Sequence, residues 1–144
     1  VLKLTRQVYD AIVAHARKDH PDEACGLVTG PAGSDLAERV IPMLNAERSP
    51  TFYRFDDNEW NRVYQQIDDR DDEITVVYHS HTATEAYPSR TDVSYADGYA
   101  QLLPNPHYVL VSTRDAETVE FRSYRIVAGE VTEEDVEITE SSDT

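Results

Sequence analysis

Apolar residues near the start of the chain recur at helical spacing. Val8, Ala11, Ile12 and Ala16 fall near one face of a 3.6-residue repeat, and Thr5 is placed to cap it, so a helix is predicted over Arg6–Lys18. His20-Pro21 ends that helix, because the residue before proline is pushed out of the helical region. Short apolar runs follow. Cys25–Thr29 (CGLVT) reads as a buried strand closed by the turn Gly30-Pro31-Ala32-Gly33. Glu38–Leu44 and Thr51–Phe55 read as two more strands, separated by the break at Pro50. Helical spacing returns at Glu59–Ile67, with Trp60, Val63, Tyr64 and Ile67 inward. Ile74–Tyr78 (ITVVY) has the unbroken β-branched character of a central strand. A helix from Ser89 to about Leu102, strands at Tyr108–Ser112 and Val119–Val127, and an edge strand at Val131–Ile138 complete the pattern. Strands and helices interleave, so an α/β layered domain is expected.

Composition narrows the function classes. A length of 144 residues suits one domain. A single cysteine, Cys25, allows no internal disulfide and favours a reducing compartment, so a cytoplasmic location is expected. No apolar run approaches the ~20 residues of a membrane span. A net charge of −15 argues against nucleic acid, whose binders carry a basic footprint. Neither nucleic acid nor membrane is therefore expected as a partner. Seven acids and no base fall within residues 130–144, read first as a solvated acidic strand or tail of the same domain that occupies residues 1–129.

The stretch that carries chemistry is His79-Ser80-His81, followed after seven residues by Ser89-Arg90-Thr91-Asp92 in the sequence HSHTATEAYPSRTD. His79 and His81 follow the ITVVY strand at spacing i, i+2, so both imidazoles project from one face. Two neutral imidazoles make half of a tetrahedral zinc site, and Asp92 in the first turn of the next helix is a candidate third ligand. Three protein ligands leave a fourth position open, the mark of a catalytic site. Each part also has a plainer reading. A His-x-His pair is common, and Ser89-x-x-Asp92 is a capping-box pattern; a cap would also fix where Asp92 points. Glu23, just before the CGLVT strand, is the candidate base. Cys25 among apolar neighbours reads as a small buried hydrophobe. His15 and His20 read as surface residues, and His107 as structural.

Together these residues resemble the JAMM (MPN-plus) metalloprotease motif: an upstream glutamate, then His-[Ser/Thr]-His, seven residues, and Ser-x-x-Asp. Glu23, His79-Ser80-His81, Thr82–Pro88, Ser89 and Asp92 match it at every defining position. Further segments, among them PDEACGL, IPMLNAERSPTFYRFD and HYVLVSTRD, are similar to the actinobacterial CysO-cysteine peptidase (Mec) branch of that family. The resemblance implies a mixed sheet flanked by helices, with a cytidine-deaminase-like architecture. It implies one zinc ion held by His79, His81 and Asp92, Glu23 as general base, and Ser89 as donor to the oxyanion. The implied reaction is hydrolysis of the amide after the C-terminal Gly-Gly of a ubiquitin-like sulfur-carrier protein, releasing cysteine. The implied binding mode lays that tail along an exposed strand edge, for which Ser49, Thr51, Tyr53 and Phe55 are candidates. Two alternatives stay open: a non-catalytic MPN-type module that binds a ubiquitin-like partner, and a peptidase of the same chemistry with a different ubiquitin-like substrate.

Overall fold

The computed structural model describes residues 1–33, 36–49, 53–99, 103 and 105–140. The apolar run around ITVVY becomes the spine of the molecule. It grows into a ten-residue strand, so the elements in chain order are β1 (Leu2–Thr5), α1 (Arg6–Asp19), β2 (Cys25–Pro31), β3 (Leu36–Ala37), β4 (Arg39–Met43), α2 (Asp57–Asp69), β5 (Asp72–His81), α3 (Arg90–Tyr99), β6 (His107–Ser112), β7 (Glu120–Val127), β8 (Glu130–Glu134) and β9 (Val136–Thr139). The main sheet has the order β4-β2-β5-β6-β7-β8. Only β5 and β6 run parallel, joined by the crossover through α3; every other pair is antiparallel. The expected mixed α/β architecture is present. A smaller parallel sheet, β3-β1-β9, stands apart from it.

Each face of β5 meets a different layer. On one side Val76 and Tyr78 pack with Val28, Val109 and Val111 against Val8, Ile12 and Ala16 of α1 and Leu2 and Leu4 of β1. On the other, Ile74 and Val77 pack with Leu27, Met43 and Tyr108 against Trp60, Val63 and Ile67 of α2 and Ala96 of α3. Both helices that define these layers are capped as side-chain chemistry requires. Thr5 Oγ1 accepts from Val8 N–H, and Asp56 Oδ2 accepts from Glu59 N–H.

Several expectations need correction. The inward face of α1 is Val8, Ile12, Val13 and Ala16, with Ala11 exposed, because the buried arc is rotated toward Val13. Tyr64 is exposed at the rim of α2 with its ring against Trp60. Gly30 and Pro31 continue β2, paired with Glu73 and Asp72, in place of a turn. The anticipated Val131–Ile138 strand divides at Asp135 into β8 and β9, which belong to different sheets. Of the anticipated Thr51–Phe55 strand, residues 51–52 lie outside the described residues; 53–54 form no strand, and Phe55 makes only an isolated bridge with Asn45. The helix expected to reach Leu102 is described to Tyr99, and residues 100–102 lie outside the described set. Among the described residues no helix is long and apolar enough to cross a membrane.

The acidic C-terminal stretch is more than solvation. Glu134 of β8 is half-buried, accepting from His107 Nδ1–H at 2.6 Å and Ser123 Oγ–H at 2.8 Å, with Arg125 Nε at 3.5 Å. Arg125 Nη2 donates to His107 Nε2, which fixes the imidazole as neutral with its proton on Nδ1. Burial pulls the His107 pKa down, against the pull of Glu134. Burial alone would raise Glu134, but the bonds from His107 and Ser123 hold it below the ordinary carboxylate range. Glu134→Ala is expected to cost about 1–3 kcal/mol in urea unfolding at pH 7. A depressed folded pKa stabilises only where the carboxylate is ionised. The difference between wild type and variant should therefore be full above the ordinary pKa of about 4.5 and shrink as pH falls through the lower folded value. A difference independent of pH would contradict the assignment.

Candidate metal centre

The phase of β5 decides where the histidines point. Residues 25–28 of β2 pair in strict antiparallel register with His79, Tyr78, Val77 and Val76, but Thr29 pairs with Ile74, leaving Thr75 as an extra residue on β5. Thr75 Oγ1 donates to the Val28 carbonyl at this bulge. Ile74 and Val77 thereby share a face despite their odd spacing, and alternation beyond the bulge carries that face to His79 and His81. The opposite face is sealed by Tyr78, whose ring lies over Gly26. A Cβ at position 26 would stand 2.4 Å from that ring, so only glycine allows the approach. The Tyr78 hydroxyl donates to His15 Nδ1 at 2.6 Å, while His15 Nε2 contacts Asp19 at 3.1 Å. His15 is thus tied into the fold, contrary to its reading as a surface residue. His20 is exposed, as expected.

The histidines lie inside the strand, not after it. His79 is 3% exposed and its ring stacks on Tyr53 at 4.3 Å between centroids. Burial holds its pKa below the ordinary value, against the pull of Asp92, so the imidazole is neutral and keeps a lone pair. His81 is oriented from behind: its Nδ1–H donates to the Glu85 carbonyl at 2.9 Å, leaving Nε2 as the nitrogen that would ligate once deprotonated. Burial lowers its pKa, but the hydrogen bonds with Asp92 and Glu85 hold it above the ordinary value. Both Nε2 atoms face one oxygen, Asp92 Oδ2, at 3.1 Å from His79 and 3.0 Å from His81.

Asp92 is delivered by the capping box. Its N–H donates to Ser89 Oγ at 3.1 Å, and Ser89 N–H donates back to Asp92 Oδ2 at 2.9 Å. Burial would raise the Asp92 pKa, but the two histidines and the Ser89 N–H hold it far below the usual carboxylate range. The ligand atoms of His79, His81 and Asp92 all lie within 4.8 Å of one another. Metal–ligand bonds of about 2.0–2.2 Å set tetrahedral ligand atoms roughly 3.4 Å apart, close to the separations seen. His79 Nε2 is buried with no hydrogen bond, despite its nearness to Asp92, so it is left for an electrophile. The donor set and this orphaned nitrogen fit a divalent cation.

Glu23 completes the group. It is 4% exposed, and its Oε1 is buried without a hydrogen-bond partner. Desolvation pushes its pKa up to about 8, with His81 pulling it down and Asp92 adding to the rise. Its position is clamped by backbone bonds. Glu23 N–H donates to the Ser49 carbonyl at 2.8 Å, and Asn45 Nδ2 donates to the Glu23 carbonyl at 3.0 Å. One residue on, Ser80 Oγ accepts from Ala24 N–H at 2.8 Å on the face of β5 away from the histidines. Ser89 is exposed at the start of α3, with its hydroxyl proton free to donate. Cys25 is fully buried and burial pushes its thiol pKa up, as suits a small hydrophobe. Of the residues considered for a substrate edge, Ser49 contacts Glu23 by its carbonyl and Thr51 lies outside the described residues. Tyr53 and Phe55 are buried, their side chains packed around His79 and Trp60. Asn45, the Tyr53 stacking and the Glu85 carbonyl were not legible beforehand, because each acts through contacts between distant segments.

Residues 5–127 match the family of prokaryotic homologs of the JAB domain. The chain belongs to the JAB domain family. This JAB domain is 59% identical over 140 residues to the CysO-cysteine peptidase of Mycobacterium tuberculosis, covering 97% of the chain and 92% of that protein. It is 30% identical over 112 residues to the desampylase of Haloferax volcanii, covering 73% of the chain and 81% of the relative. Protein DSY2949 of Desulfitobacterium hafniense, a solved structure, matches it with a TM-score of 0.83 at 29% identity, over 99% of this chain and 96% of that one.

Because Ser80 Oγ is the side-chain acceptor for Ala24 N–H next to Glu23 in the JAB domain, Ser80→Ala is expected to cost about 1–3 kcal/mol of stability. Thermal unfolding of the variant checks this; an unchanged Tm would show that the bond carries no weight.

Proposed function

We propose that the protein is a zinc-dependent peptidase that hydrolyses the amide after the C-terminal Gly-Gly of a ubiquitin-like sulfur-carrier protein and releases cysteine. The observation that carries this reading is the convergence of His79, His81 and Asp92 on one buried point beside an equally buried Glu23. The similarity to the CysO-cysteine peptidase supports the carrier and the leaving group. The similarity to the desampylase favours a second reading in which the same chemistry serves a different ubiquitin-like substrate.

His79 and His81 would hold zinc through Nε2 and Asp92 through its carboxylate. When bound, zinc polarises a carbonyl and brings the pKa of a water to about 7. Glu23 takes a proton from the attacking water and passes it to the departing amine. Hydroxyl adds to the glycyl carbonyl carbon, the C–N bond breaks, and the amine leaves neutral. Ser89 donates its hydroxyl proton to the developing oxyanion, a contribution typically worth about 10²–10³ in rate. Burial of Glu23 favours the protonated form it needs at the second step, while its orphaned oxygen accepts the proton at the first. The single buried thiol and the reducing compartment it favours suit a cytoplasmic sulfur-handling enzyme.

Incubation with a carrier ending in Gly-Gly-Cys is expected to release cysteine, with activity lost to a chelator and restored by zinc. Metal analysis should find one zinc per chain. Glu23→Gln is expected to keep zinc and lose at least about 100-fold in kcat, whereas His79→Ala and Asp92→Asn lose both. Full activity of Glu23→Gln, or cysteine release indifferent to chelator, would overturn the reading.

A further inference from the structure

A cleft of about 360 Å³ opens beside Glu23 and has no part in the steps above. Lys18, Asp19 and Asp22 border it from the end of α1 and the turn beyond, and Leu44, Asn45 and Arg48 border it from the loop after β4. Arg48 sits at φ 46°, in the left-handed region that a large non-glycine side chain rarely adopts. Such a conformation persists only where the surroundings over-determine it. Asn45 does so here. Its carbonyl accepts from Arg48 N–H at 3.2 Å, its Oδ1 accepts from the N–H groups of Glu47 and Arg54, and its Nδ2 donates to the Glu23 carbonyl. With Ser49 O bonded to Glu23 N–H, the loop is clipped to both sides of the Glu23 residue, and Arg48 rides on that clip.

Charge in the cleft is unevenly committed. Asp19 contacts His15, but neither Arg48 nor Lys18 forms an ion pair among the described residues. Two cations without an ion pair among the described residues thus border the cleft beside Glu23 in a chain of net charge −15, with Asp22 as the remaining acid at the border.

We infer that Arg48, with Lys18 in support, binds the free α-carboxylate of the departing C-terminal residue and so selects substrates that end there. The inference rests on the peptidase reading. Glu23 must reach the departing nitrogen to protonate it. In a one-residue leaving group the carboxylate is only one carbon removed from that nitrogen, so it enters the same cleft. A carboxylate entering a cleft bordered by Asp19 and Asp22 meets like charge, and a guanidinium is the group that offsets this through paired N–H bonds. An internal peptide bond has no charge at that position and gains nothing from Arg48.

The test compares kcat/KM for one ubiquitin-like carrier ending in Gly-Gly-Cys as the free acid and as the C-terminal amide. Wild type should favour the acid by about 10-fold or more. Arg48→Asn should bring the ratio near unity, and Arg48→Lys should keep part of the preference. Asparagine accommodates φ 46° better than arginine, so Arg48→Asn should unfold at or above the wild-type Tm, which separates lost recognition from lost folding. An acid-to-amide ratio that is near unity in wild type, or unchanged in Arg48→Asn, overturns the inference and leaves the peptidase reading standing. Cleavage of neither substrate by the zinc-loaded wild type overturns both.

Discussion

The pairing of β2 with β5, broken once by the extra residue Thr75, is the constraint on which the centre depends. Below the bulge the strand presents Ile74 to the α2 layer; above it, Val77, His79 and His81 take that side. Without the bulge, a strict two-residue alternation would set Ile74 and the histidines on opposite faces, and one of them would have to leave its layer. The same ladder brings Cys25 opposite His79 and Ala24 opposite Ser80, so Glu23, just upstream of β2, arrives beside the two histidines at the upper end of β5. Gly26 makes the pairing possible by leaving room for the Tyr78 ring.

Stability and chemistry share atoms at this centre. Asp92 Oδ2 closes the capping box of α3 and is also the oxygen that both imidazoles face. The hydrogen bond that starts a helix therefore aims a candidate ligand. Ser80 divides the labour in another way: its side chain serves the backbone on one face while its neighbours serve the centre on the other. Burial then tunes the titratable groups apart. Asp92 is held ionised by its two histidines, whereas desolvation drives Glu23 toward its neutral form. A carboxylate pair with opposed pKa shifts is the arrangement expected where one acid binds and the other moves a proton.

Much of the centre was legible because its rules are local. The i, i+2 spacing of His79 and His81 implies a shared face whatever the sheet looks like, and Ser89-x-x-Asp92 implies a cap from four residues alone. Thr5, the break at His20-Pro21 and the buried character of Cys25 followed similarly from near neighbours. Misreadings arose where a partner far along the chain decides. Tyr64 matches the helical period of α2 but lies where that layer ends. Val131–Ile138 has one continuous strand pattern, yet Asp135 divides it because two sheets compete for its halves. Tyr53 and Phe55 looked available for an extended substrate and instead pack with His79, Trp60 and Tyr95.

The sequence by itself determined the family and the spacing of the candidate donor set, since residue identity and strand or helix phase are encoded within a few residues. Only the tertiary structure decided that Glu23 is buried near His81 and Asp92, that Asn45 clips the Arg48 loop against it, and that Glu134 anchors the acidic C-terminal stretch through His107. Each of these joins segments tens of residues apart. Their meeting depends on strand register, a bulge and the sharing of residues between two sheets, which no local periodicity specifies.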